Sequence, residues 1–294
     1  MGRVAETDSI NRENILPLLI AALKEDVGSR DMTSAALIPT GQSAKAEIVI
    51  RKEGVIAGLQ VAEWVFEMVN PKVKFQPMVK DGQKAYPAKA VAFLEGPARG
   101  ILAGERVALN FLAHLSGIAT FTRAFVDRVK GTPVKIMDTR KTTPGLRLLE
   151  KYAVRMGGGV NHRMGLYDSV LIKDNHLRLA GGVEKAVAQV RSVVQKGIPV
   201  QLEVANLQEF RQALSARPDL ILLDNMRLSE MQEAVRLRNA VARSNPEAKI
   251  PLEVSGGVTL ETARQIALTG VERISIGALT HSAPILNVAL EVVG

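Results

Sequence analysis

The chain has 294 residues, 47% hydrophobic and 4% aromatic, with no cysteine and a formal charge of +8 from 38 Lys and Arg against 30 Asp and Glu. Without cysteine there is neither disulfide nor thiol catalysis. With only His114, His162, His176 and His281 a zinc site fits poorly, so a metal here should prefer oxygen ligands. Basic residues dispersed along the chain with few aromatics lack the stripe or stacking platform of a nucleic-acid surface, and they suit small anionic substrates better.

The length predicts one large barrel-type domain or a barrel with a smaller companion. The polar opening MGRVAETDSINREN has no basic-then-apolar signal pattern, and no apolar run is long enough for a bilayer. The expected setting is cytoplasmic, with no membrane partner.

In chain order, a helix is predicted around 14–25, a strand over AEIVIRKEG (46–54), an amphipathic helix over VAEWVFEMV (61–69), and short strands near 73–79 and 89–95. These read as a small α+β domain. A long helix over 105–130, interrupted at Gly117, leads onward.

From residue 134 the pattern alternates. Strands are predicted at 134–140, 169–174, 200–204, 220–225, 252–257 and 273–278, with helix-patterned segments between the last of them. Such alternation means a parallel sheet. A doubly wound sheet fits the alternation equally. The strand ends favour a barrel, because Asp138, Arg140, Lys173, Glu203, Asp224, Ser255 and Gly277 would converge on one mouth. Six countable strands predict a shortened or irregular barrel.

The segment 138–176 gathers Arg140, Lys141, His162, Arg163, Lys173 and His176 around Gly157, Gly158, Gly159 and Gly165. Arg grips a carboxylate or phosphate through a planar fork and Lys adds a mobile point charge, so the mixture suits a small, highly charged anion. A solvated charged loop is the plain alternative, but it would need no glycines. SGG at 255–257 and SIGA at 275–278 are the last strand ends, where barrels commonly bind phosphate; singly, each is an ordinary turn. Glu203 and Asp224 could cap loops, hold Mg²⁺ together with substrate oxygens, or offset positive charge on a sugar. Lys173 could equally be the Schiff-base lysine of a barrel aldolase. His114 and His176 read as structural, and His162 reads either way.

At these residues the chain closely resembles the quinolinate phosphoribosyltransferase family. The matching blocks are EDVGSRDMTS (25–34), GPARGILAGERVALNFLAHLSGIAT (96–120), the whole of 138–176, LLDN (222–225), SGG (255–257) and GALTHSAP (277–284). The resemblance implies transfer of a phosphoribosyl group from phosphoribosyl pyrophosphate to quinolinate with loss of CO₂, dependent on Mg²⁺ (or Mn²⁺), in NAD biosynthesis. It implies an N-terminal α+β sandwich over 1–115, joined by 283–294, and an open, roughly seven-stranded, TIM-like α/β barrel over 116–282.

It also implies a homodimer with shared sites, in which Arg106 reaches the neighbour's pocket. Thr139, Arg140, His162, Arg163 and Lys173 would surround quinolinate, and Lys141 would lie between it and the pyrophosphate. Lys141, Glu203 and Asp224 are the expected catalytic residues, the two acids also facing the ribose and Mg²⁺. Lys173, Ser255, Gly256, Gly257, Ser275, Ile276, Gly277 and His281 complete the phosphoribosyl pyrophosphate site. Arg30 stands where the family pattern has Gly, and Gln201 and Ala205 flank Glu203 where acidic residues are usual.

Overall fold

A computed structural model of the chain describes residues 10–244 and 249–293. Residues 1–9, most of the polar opening, lie outside the described residues. In chain order the elements are α1 (Arg12–Asp26), α2 (Met32–Leu37), β1 (Ser43–Ile50), β2 (Gly54–Val55), α3 (Leu59–Val69), β3 (Lys74–Pro77), β4 (Lys84–Ala85), β5 (Ala90–Pro97) and α4 (Ala98–Arg128). There follow β6 (Lys135–Met137), α5 (Arg147–Met156), β7 (Val170–Ile172), α6 (Asp174–Ala180), α7 (Val183–Val193), β8 (Val200–Val204) and α8 (Leu207–Ala216). The chain ends with β9 (Leu220–Asp224), α9 (Leu228–Ser244), β10 (Leu252–Ser255), α10 (Leu260–Ala267), β11 (Arg273–Ser275), α11 (Ala278–His281) and β12 (Val288–Val293). Two compact units form: one holds residues up to 123 with 142–158 and the segment from 279, the other holds 124–141 and 159–278.

The first unit is built on an antiparallel sheet of order β12-β1-β5-β3. The apolar face of α3 buries Val61, Ala62, Val65 and Phe66, and the Phe66 ring stacks on Phe75 of β3 with centroids 6.0 Å apart. Asp81 accepts the Gly58 and Leu59 N–H groups at 2.7 and 3.2 Å, satisfying the donors that open α3, and also takes the Tyr152 hydroxyl at 2.6 Å.

The expected break at Gly117 does not occur, and α4 runs unbroken for 31 residues. One glycine costs a helix about 1 kcal/mol, too little to interrupt a helix that buries Leu109, Leu112, Leu115 and Ile118. Its role is close packing. A Cβ at 117 would lie 2.2 Å from the Pro284 carbonyl oxygen and 2.9 Å from Ile285 Cα. Nearby, Leu286 N–H donates to Ala113 O at 3.0 Å.

The second unit carries a six-stranded sheet of order β6-β11-β10-β9-β8-β7, parallel throughout. All six predicted strands are present, five with shorter bounds and 200–204 with the bounds expected. A seventh position is reduced to one residue, Val160, which bridges Met137 in parallel, donating to Ile136 O at 2.8 Å and accepting from Asp138 N–H at 3.3 Å. Among the described residues no ladder joins Val160 to β7, so the barrel is open there. Alternation puts Val204, Leu223, Val254 and Ile274 on one fully buried face. The opposite face presents Glu203, Asp224, Glu253, Ser255 and Ser275.

Gly117→Ala should keep the helical content and lower stability by about 1–3 kcal/mol, the usual cost of overpacking against atoms that cannot yield. Circular dichroism and a denaturant midpoint measure both; an unchanged midpoint would show that the 284–286 segment is free to move.

Candidate active site

Strand register fixes which side chains meet. Glu203 and Glu253 are both in register with Leu222, and one step further along the strands Asp224, Ser255 and Ser275 form the next row. Side chains repeat every second residue, so both rows project from the same face, at the C-terminal ends of parallel strands. The two acids of the upper β8 and β9 ends therefore share one mouth with the turns that follow β10 and β11.

Below the mouth lies a polar core that the sequence did not announce. Asp138, fully buried at the end of β6, accepts the His162 N–H at 2.9 Å and the Asn161 side-chain amide. Glu253, also fully buried, accepts the Ser275 hydroxyl through Oε1. The same oxygen lies 3.3 Å from His162 Nε2, while His162 Nδ1 takes the Arg163 N–H at 2.8 Å. The second contact fixes the tautomer: Nδ1 is the acceptor, so Nε2 carries the proton toward Glu253. His162 is thus held inside the protein through both ring nitrogens, with 7% of its side chain exposed. The sign available in the sequence was spacing, since Glu253 sits two residues before Ser255 and so faces the same way.

Arg163 follows directly from this anchor. Its Nη1 donates to Ser169 O at 3.0 Å. Burial, and then the like charge of Arg140, lower its pKa from the ordinary guanidinium value, against opposing pulls from Asp168 and Glu203. The group stays charged, and an anion brought between Arg140 and Arg163 would relieve that repulsion. Thr139 Oγ1 accepts the Lys141 N–H at 3.0 Å, shaping the turn that presents Arg140 and an exposed Lys141. Lys173 Nζ lies 2.8 Å from Glu203 Oε2. His176 accepts the Lys173 N–H at 2.9 Å, and His114 lies 2.9 Å from buried Glu150, so both are structural as read.

At the glycine-rich ends, Gly256 and Gly257 both have positive φ, +96° and +58°, and nothing lies within 4 Å of a Cβ built on Gly257. That leaves backbone and space for an anion. Ser275 and Ile276 are turned elsewhere: the Ser275 hydroxyl goes to Glu253, and the Ile276 N–H donates to Met137 O at 2.9 Å. His281, exposed beside Ser282, and Arg106, on α4, belong to the first unit. Arg106 is 63% exposed, its nearest acid being Glu105 at 3.9 Å. Gln201 is buried with its Oε1 lacking a hydrogen-bond partner.

No cluster of three or more His, Cys, Asp or Glu capable of holding a metal occurs among the described residues. Two carboxylates on one face, Glu203 and Asp224, still fit the way Mg²⁺ is usually held, by one or two carboxylates with substrate oxygens completing the shell.

Comparison with known proteins gives the same reading from a separate direction. Residues 31–116 match the family model described as quinolinate phosphoribosyl transferase, N-terminal domain, and residues 118–291 match the corresponding C-terminal domain. The chain belongs to the quinolinate phosphoribosyltransferase family. Relatives include the nicotinate-nucleotide pyrophosphorylase [carboxylating] of Mycobacterium leprae, 44% identical over 92% of this chain and 94% of that one. The probable enzyme of the same name from Bacillus subtilis is 40% identical over 96% and 95% of the two chains. The crystal structure of NadC from Streptococcus pyogenes superposes with a TM-score of 0.90 at 38% identity, covering 97% of this chain and 99% of that chain.

For this family member the buried anchor gives a direct expectation. Glu253→Ala removes the acceptor of the Ser275 hydroxyl and the carboxylate facing His162 Nε2, and should destabilise the protein by about 1–3 kcal/mol. Urea unfolding measures it, and unchanged stability would show that the Glu253 contacts contribute nothing.

Proposed function

We propose that this protein joins quinolinate to phosphoribosyl pyrophosphate and releases nicotinate mononucleotide, pyrophosphate and CO₂, a step of NAD biosynthesis. The observation that carries the reading is the pairing, at one barrel mouth, of an Arg-rich anion pocket with two carboxylates and a glycine-lined strand end. Family membership across nearly the whole chain supplies the substrate identities. A barrel aldolase is disfavoured because Lys173, its required nucleophile, is engaged by Glu203 at 2.8 Å and not set in the apolar or cationic pocket that such a lysine needs.

Both substrates are multiply anionic, so the first requirement is to hold two carboxylates near a pyrophosphate. Arg140 and Arg163 supply bidentate partners for quinolinate, with Thr139, Lys173 and the partner-borne Arg106 around it. His162 acts from behind, through its bond with the Arg163 backbone. Lys141 sits on the turn next to Arg140, placed to bridge quinolinate and pyrophosphate. The 5-phosphate belongs at Ser255, Gly256, Gly257 and Gly277, where open backbone is available. Ser275 and Ile276 enter that site less directly.

The pyridine nitrogen then bonds to the anomeric carbon as the bond to pyrophosphate breaks, and positive charge grows on the sugar. Asp224 and Glu203 lie where that charge develops. Mg²⁺, when bound with the pyrophosphate, would neutralise the leaving group. The new N–C bond makes the ring cationic, so the carbon next to nitrogen can release its carboxylate as CO₂, retain the electron pair and take up a proton. The substrate is its own electron sink, and no further cofactor is needed. A cytoplasmic setting completes the reading; no helix among the described residues is long and apolar enough to cross a membrane.

Quinolinate with phosphoribosyl pyrophosphate and Mg²⁺ should yield CO₂ and nicotinate mononucleotide. Nicotinate should not substitute, because the cationic groups that meet its missing carboxylate would stay unpaired. Chromatography of products with trapping of labelled CO₂ reads the result. Full turnover in excess chelator would remove the metal from the scheme, and equal use of nicotinate would point to a different base.

A homodimer with shared sites is part of the proposal, supported by the exposed Arg106 and by exposed Leu166 and Leu179 lining one apolar cleft beside β7. Arg106→Ala and Lys141→Ala should each be inactive. Co-refolded, about half of randomly mixed dimers are mixed and each carries one whole site, so recovery should approach about a quarter of wild type. Mixed dimers that form without any recovery would place Arg106 in its own subunit's site or outside the chemistry.

A further inference from the structure

Asn225, the residue after Asp224, combines three unusual features. Its φ is 51°, one of three positive values among the described non-glycine residues. Its Nδ2 donates to Asp224 Oδ2 at 2.8 Å, and its backbone N–H donates to Ser255 O at 2.9 Å. Its amide also occupies the space in front of Gly256: a Cβ built there would meet Asn225 Oδ1 at 2.1 Å and Cγ at 2.5 Å. Glycine would adopt the left-handed backbone without strain, so what asparagine adds at this position is its side chain.

We propose that Asn225 is a positioning residue, whose amide sets the orientation of the Asp224 carboxylate and locks it to the 255–257 turn. The inference rests on the phosphoribosyl-transfer reading, and it separates the two acids. Glu203 is matched by the Lys173 ammonium at 2.8 Å. Asp224 has no cation within ion-pair distance among the described residues, and a neutral amide orients it without cancelling its charge. A carboxylate meant to face a developing sugar cation needs that combination: fixed direction with full charge. The bond to Ser255 and the packing on Gly256 then hold the acid and the phosphate-binding turn as one piece, so that binding the 5-phosphate and placing the anomeric carbon against Asp224 are the same event.

Two variants separate positioning from a plain turn role. Asn225→Gly keeps the positive φ and removes only the amide; Asn225→Asp keeps the shape and puts a like charge against Asp224. Because a hydrogen bond to a charged group is lost and acts mainly on the transition state, kcat should fall about tenfold or more in Asn225→Gly, with KM for quinolinate within about twofold and Tm nearly unchanged. Asn225→Asp should fall further. Crystal structures of both variants should show the Asp224 carboxylate rotated or divided between orientations. Wild-type kcat in Asn225→Gly, a loss confined to quinolinate KM, a loss that tracks a fall in Tm, or an Asp224 carboxylate unmoved in both variants would overturn the inference. Should the wild-type protein fail to turn over quinolinate, the functional reading falls by itself, and the Asp224 orientation in the variant crystals still decides this one.

Discussion

Two fully buried carboxylates, Asp138 and Glu253, hold the second unit's chemistry in place. Taking a carboxylate out of water costs several kcal/mol unless hydrogen bonds replace the lost hydration. Here Asn161, His162 and Ser275 supply such contacts, while Glu253 Oε2 lacks a hydrogen-bond partner among the described residues, so the groups that meet the buried acids also shape the mouth. The backbone of His162 is tied to β6 and its ring is directed at β10. Arg163, one residue on, inherits a fixed starting point from both.

Charge is distributed over that mouth by strand. The β6 end and the 161–173 segment carry the cations, β8 and β9 carry the acids, and β10 and β11 end in glycine-containing turns. Parallel strands in register place these groups within one or two steps of a common level. A substrate pair consisting of a dicarboxylate and a phosphorylated sugar matches that division, because its anionic parts meet Arg and Lys while the carbon that becomes cationic meets Asp224 and Glu203. Lowered proton affinity at Arg163 fits the same view, since cations crowded by burial and by one another gain most from an anion.

Three glycines serve three purposes that a sequence does not distinguish. Gly117 is required because another backbone passes against it, at a point where helix propensity alone suggested an interruption. Gly256 is required because a side-chain amide covers it and because its φ is positive, and Gly257 is open to solvent with a positive φ of its own. The first serves packing, the second a fixed turn, and the third leaves approachable backbone.

Much was legible in the residues alone. Alternating apolar runs gave all six strands of the parallel sheet, because period-two and period-3.6 patterns are local properties of the chain. The Arg, Lys and acidic residues at strand ends marked one mouth, because a parallel barrel brings those ends together. The long blocks around 96–120 and 138–176 identified the family. What the sequence could not supply were relations between residues distant along the chain. Glu253 looked like one more strand residue until its side chain was seen to take the Ser275 hydroxyl, one row further along the sheet, and to lie within reach of His162. The engagement of both His162 ring nitrogens, one facing Glu253 and the other taking the Arg163 N–H, was likewise not legible in the chain. The seventh strand was invisible because a single residue, Val160, has no periodicity to detect. Local pattern determines which elements form and which chemistry they carry; only tertiary contact determines which side chains face the substrate and which hold the others still.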